Sequence, residues 1–102
     1  MEEYFKEWNE LINELSEKEV ELRQLKEDYA EESEEIIGNT DFKGLYGRNN
    51  DGIRKMHIKQ ELHDEYVEIK SLEFSISYIE RRISYLRELI RFKRVVMEIS
   101  KE

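Results

Sequence analysis

Trp8, Leu15, Leu22, Tyr29 and Ile36 recur at intervals of seven residues, and Leu62, Ile69, Ile76, Ile83, Ile90 and Met97 do so again in the second half of the chain. Each run has an interleaved column. Tyr4, Leu11 and Leu25 accompany the first, interrupted by Lys18 and Glu32. Ile58, Leu72, Ile79 and Leu86 accompany the second, interrupted by Glu65 and Lys93. At 3.6 residues per turn, two columns spaced this way fall on one stripe of an α-helix. This is the a/d pattern of helices that bury a seam against another helix. The repeat resolves an ambiguity left by composition. With 41% charged and 38% hydrophobic residues the chain resembles long helices, but also disordered segments. A disordered segment has no reason to keep a period.

Proline is absent and all four glycines stand between Gly38 and Gly52. Turn-forming residues are thus gathered in one place. The expected organisation is a helix over residues 2–37, a hinge loop over 38–50 with a short helical turn inside it, and one unbroken helix over 51–100. Gly38-Asn39 is the expected stop of the first helix, because glycine accepts the left-handed conformation found there. Thr40-Asp41 suits the start of a turn reaching Leu45, and Asn50 or Asp51 suits the N-cap of the second helix. Helices joined by so short a connection fold back on each other. The expected fold is all-α: one domain of 102 residues forming a long antiparallel helical hairpin, or coiled coil.

The second helix carries another apolar stripe. Val67, Phe74, Tyr78, Tyr85, Leu89, Phe92 and Val96 follow at steps of seven, four, seven, four, three and four, away from the a/d seam. One partner helix covers one face only. Several aromatic side chains left in water mark an interface. Assembly into a dimer or a higher helical bundle is the expected way to cover them.

The formal net charge of -8 disfavours non-specific binding to nucleic acid, which requires local positive charge. The charge is uneven. Residues 1–35 hold fourteen acids against four bases, whereas Arg81, Arg82, Arg87, Arg91, Lys93 and Arg94 face only Glu80 and Glu88 over residues 80–94. An antiparallel hairpin sets these two regions side by side. Glu7, Glu10, Glu14, Glu17, Glu21, Glu31 and Glu35 form a candidate acidic surface able to occupy a basic groove.

Nothing in the sequence assembles a catalytic group. There is no cysteine, so disulfides and thiolate metal sites are excluded. His57 and Glu61 share a helix face, but a zinc motif is lacking, and His57 and His63 are expected as solvated surface side chains. No serine has an adjacent base. The paired acids, such as Glu31-Glu32 and Glu34-Glu35, lie on a charged helix rather than in a dry pocket. No enzyme activity, metal or cofactor is expected. The acidic, amphipathic start MEEYFKEW is unlike a signal peptide, and no apolar run reaches membrane length. The expectation is a soluble cytoplasmic protein.

The hinge is the richest segment for recognition. Phe42, Leu45 and Tyr46 are bulky residues in a turn-rich loop, with Lys43, Arg48, Asn49, Asn50, Arg54 and Lys55 around them. Cations, glycines and a helix N-terminus suit an anion. A structured tip, with the three apolar residues closing the end of the hairpin, accounts for the same residues. They form a candidate interaction loop.

The stretch TDFKGLYGRNNDGIRKMHIKQEL, followed by SLEFSISYIERRISYLRELI, resembles small coiled-coil proteins of unknown function encoded in early regions of phages and prophages of Gram-positive bacteria. The features that match are Leu45-Tyr46-Gly47-Arg48-Asn49-Asn50 and the block from Tyr78 to Leu86, and the resemblance covers about residues 40–92. Such regions also encode recombination proteins and inhibitors of host defence, anti-CRISPR proteins among them. The resemblance therefore implies a non-catalytic accessory or inhibitor that binds a host protein, with no catalytic residues to carry over. Two alternatives stand beside it. One is an oligomer that holds a small anionic ligand, such as a signalling nucleotide, through Lys43, Tyr46, Arg48 and Arg54. The other is a recombination or replication accessory that uses the basic run Arg81–Arg94.

Overall fold

The computed structural model describes residues 2–101, and the side chains of residues 2–100. The described residues contain four helices and no strand: α1 (Glu2–Asn39), α2 (Phe42–Tyr46), α3 (Asp51–Glu61) and α4 (His63–Lys101). The chain divides into two compact units. One joins residues 1–20 to residues 73–102, and the other comprises residues 21–72.

In the first unit the start of α1 runs antiparallel to the end of α4. Phe5 lies under the Arg94 guanidinium, 5.7 Å from ring centroid to Cζ. Glu7 reaches Arg82, and Leu11, Glu14 and Lys18 border a groove with Phe74 and Tyr78. The core belongs to α4. Ile76, Ile79, Ile83, Leu86 and Ile90 are buried, with Leu86 wholly enclosed. Lys93, which interrupts the repeat, is exposed.

The second unit contains the end of α1, the short helices α2 and α3, and the start of α4. Here too the chain doubles back. Tyr29 sits beside Tyr66 and Lys59, where burial and the Tyr66 phenol raise its pKa. Ile36 and Asn39 share a surface groove with His57 and Glu61. Phe42, Ile58, Leu62, Ile69 and Leu72 are its buried side chains.

The turns follow from local hydrogen bonds. Thr40 Oγ1 donates to the Ile36 carbonyl at 2.6 Å, satisfying one of the free acceptors at the end of α1. The Asp41 carboxylate accepts from the Gly44 N–H at 3.0 Å and opens α2. Gly47, at φ +75°, closes α2 in the left-handed conformation, and its N–H donates to the Lys43 carbonyl at 2.8 Å. Asn50 has extended backbone, and its side chain accepts from the Ile53 N–H at 2.9 Å, so it is the N-cap of α3.

Two expectations are corrected. Gly38 does not stop α1, which runs on to Asn39 with Gly38 inside it. The left-handed glycine is Gly47. The helix expected over 51–100 is broken at Leu62, whose ψ of 36° leaves the helical range. Backbone bonds from the Leu62 N–H to Ile58 and from the Tyr66 N–H to the Leu62 carbonyl hold the two pieces in sequence. No glycine or proline marks this break. The two heptad runs also differ in how far they are covered. No residue of α1 is buried, and Trp8, Leu11, Leu15, Leu22, Leu25, Tyr29 and Ile36 are only half-covered.

Candidate protein-interaction faces

The outer face of α4 in the first unit carries several exposed apolar side chains. Phe74 is 70% exposed, Phe92 62%, Tyr78 60% and Tyr85 56%. Val95, Val96 and Ile99 are also exposed, and Leu89 is half-covered. These residues form a second helical seam. Tyr78, Arg82, Tyr85, Leu89, Phe92, Val96 and Ile99 alternate at steps of four and three over three turns of repeat. A 4-3 alternation is the requirement for knobs-into-holes packing. The stripe read from sequence supplies five of these seven residues. Arg82 and Ile99 were missed in it, although the 4-3 spacing itself would have disclosed both. Val67, the first residue of that stripe, lies in the other unit and is half-exposed.

Arg82 would spoil an apolar seam if its charge stood alone. It does not stand alone. Arg82 Nε donates to Glu7 Oε1 at 2.8 Å and its second nitrogen to Oε2 at 3.2 Å. The guanidinium also lies over the Tyr85 ring, at 5.1 Å from the centroid. Bidentate pairing of this kind is the strongest carboxylate recognition a side chain offers. Its hydrogen bond holds the Glu7 carboxyl below the usual glutamate range and raises Arg82 further.

The rest of the acidic surface is free. Glu14 makes a long 4.0 Å contact with Lys18. Glu10, Glu17, Glu21, Glu31 and Glu35 are exposed and form no ion pair among the described residues. Glu7 belongs to the candidate acidic surface by sequence, yet the structure spends it on Arg82.

The basic run is divided similarly. Arg91 lies 3.7 Å from Glu88 on the same helix, and Arg81 Nε contacts the Ser77 carbonyl at 3.4 Å. Arg87, Arg91 and Arg94 border an open groove of about 340 Å³ with Phe5, Trp8, Ile90, Val95 and Glu98. Trp8 Nε1 is the one buried side-chain polar atom without a hydrogen-bond partner among the described residues. Arg81, Arg87, Lys93 and Arg94 are exposed as well.

The loop residues are largely consumed by the loop itself. Phe42 is buried. It stacks on Tyr46 with ring centroids 6.5 Å apart, and meets His57 edge-on at 5.3 Å. The Tyr46 hydroxyl and His57 Nδ1 share a 2.6 Å hydrogen bond. His57 is therefore not the solvated histidine expected from sequence: its side chain keeps 12% of its exposure, beneath Phe42 and Tyr46. Residues eleven apart in sequence, across a turn, leave no periodic signal of such a contact. His63 is exposed.

Arg54 donates to Asn49 Oδ1 at 2.7 Å and stands 3.9 Å from Asp51. Lys55 stands 3.0 Å from the same carboxylate and lowers its pKa. Asn50 and Asp51 thus occupy the N-terminus of α3 that an anion would use. Of the candidate loop residues, Lys43, Leu45 and Arg48 are the ones left outward and uncommitted. No group of three or more potential ligands able to hold a metal ion occurs among the described residues.

No helix of the described chain is long and apolar enough to cross a membrane. Comparison with protein-family models, curated proteins and solved structures finds no match to this chain.

Proposed function

We propose that this chain is a non-catalytic protein-binding module, an accessory or inhibitor of the phage type, and that the outer face of α4 is its principal contact surface. The single observation that carries the reading is the open second seam from Tyr78 to Ile99. Helix surfaces of this width and regularity exist to be covered by another helix. A partner that fits presents an apolar helical stripe with the same 4-3 spacing.

The free carboxylates of α1 suit a second contact, with a basic protein surface such as the groove of a nucleic-acid-processing host enzyme. The resemblance to phage early-region proteins supports that direction. The ligand-binding alternative draws less support, because Arg54, Lys55, Asn49 and Asn50 already satisfy one another or the helix end. The DNA-binding alternative is weakened by the pairing of Arg82 and by the net charge of -8.

A photo-crosslinking amino acid placed at Tyr85, and separately at Glu27 as a control, tests the reading in expressing cells. Protein adducts at Tyr85 and few at Glu27 are expected. Equal or absent labelling at the two positions overturns the assignment of α4 as the binding face.

A further inference from the structure

The regularity of the α4 face also indicates what covers it. We infer that its occupant is α4 of a second copy of this chain, packed antiparallel about a two-fold axis passing close to Ser84. The inference rests on the proposed function, since it names the partner for that same face.

Area is the first argument. Four aromatic side chains of roughly 150–250 Å² each, more than half exposed, offer roughly 500 Å². Val95, Val96 and Ile99 extend the surface towards the roughly 800 Å² that each side of a standard interface buries.

Charge complementarity is the second. Phe74, Arg81, Glu88 and Val95 recur every seven residues and form the column flanking the seam on its outer side. In an in-register parallel pair the two copies of this column lie on opposite sides of the seam, so neither Arg81 nor Glu88 gains an opposite charge from its own column. Reversing one helix about Ser84 instead sets Arg81 beside Glu88 of the second copy, and the symmetry repeats the pair. The same reversal sets Phe74 beside Val95 of the second copy and Tyr78 beside Leu89. Every exposed apolar residue of the column then meets another, and the two charges meet their opposites. The in-chain Glu88–Arg91 contact, at 3.7 Å between well-exposed groups, is too loose to compete.

The pairing of Arg82 is the third. A two-fold axis here brings both copies of Arg82 to the seam, where each packs near Tyr85 of the other chain. Two uncompensated cations would oppose this association. Glu7 of each copy neutralises its own Arg82 before assembly.

Sedimentation of the purified chain gives the first test: a species of twice the 12.5 kDa chain mass is expected. Because the chain has no cysteine, single-cysteine variants report the geometry directly. Phe74→Cys and Val95→Cys, both at exposed positions, are mixed and treated with a short bismaleimide. The mixture is expected to give a heterodimeric adduct joining 74 to 95, and Phe74→Cys alone little or none. Efficient linking of Phe74→Cys to itself overturns the inference. A monomeric mass for the helical wild-type chain also overturns it. If Tyr85 still crosslinks a different protein in cells, the protein-binding reading stands while the self-association falls. Phe92→Glu, which alters a side chain 62% exposed, is expected to abolish the dimer while circular dichroism stays helical.

Discussion

Glu7 and Arg82, 75 positions apart in sequence, meet in a two-point hydrogen bond that neutralises the one cation within the outer seam of α4. The pair therefore has two consequences. It fastens the start of α1 to α4 within one unit, and it makes an arginine tolerable on a face otherwise built from tyrosine, phenylalanine, leucine, valine and isoleucine.

The pH dependence of this pair has a definite sign. Arg82 lowers the folded-state pKa of Glu7 below its ordinary value. The pair's stabilisation is therefore present above the unfolded-state pKa of glutamate, about 4.3, and is lost as pH falls through the depressed folded value. Glu7→Gln is expected to lower the melting temperature slightly at neutral pH. The gap from wild type should close in acid, and narrow in high salt because the pair is partly exposed. Thermal melts of the two proteins across pH and salt check this.

Leu86 is wholly enclosed, so Leu86→Ala removes packed atoms without a route for water to replace them. A loss of about 2–5 kcal/mol is expected. Urea denaturation at fixed protein concentration measures it. A change under about 1 kcal/mol would mean that the α4 seam is not the core.

Gly38 and Gly47 should respond oppositely to alanine. Gly38 is helical, and a methyl group there meets nothing within 4 Å. Gly38→Ala is expected to stabilise the chain by about 0.5–1 kcal/mol. Gly47 has φ +75°, where an L side chain costs about 1–2 kcal/mol. Gly47→Ala should therefore destabilise. Paired denaturation curves decide the signs.

The tip depends on Tyr46 as much as on Phe42. Tyr46→Phe removes the hydroxyl bonded to His57 Nδ1 and keeps the ring contacts. A loss of about 0.5–1.5 kcal/mol is expected. The His57 ring resonances in an NMR spectrum should shift, whereas those of exposed His63 should not. Unmoved His57 resonances would show that the bond is not made in solution.

Much of this architecture is legible in the sequence because helix formation and capping are local. The heptad columns identify Leu72, Ile76, Ile79, Ile83 and Leu86, all of which are buried. Asn50 and Asp41 cap helices through bonds to residues three positions away. The candidate loop was less legible. Phe42, Tyr46, Asn49 and Arg54 look available for binding when read one by one, and acquire partners within the tip once the turn brings them to His57 and to one another.

The sequence by itself determined that this chain is helical, where its glycine-rich hinge falls and which stripe of α4 faces inward, since each follows from spacing within a few residues. Tertiary structure alone decided that Glu7 is committed to Arg82, that His57 lies beneath Phe42 and Tyr46, and that the second long helix breaks at Leu62 into α3 and α4. It also decided that the α1 stripe is only half-covered. These depend on which surfaces meet when the chain doubles back, and a period of seven says that a face must be buried without saying what will bury it.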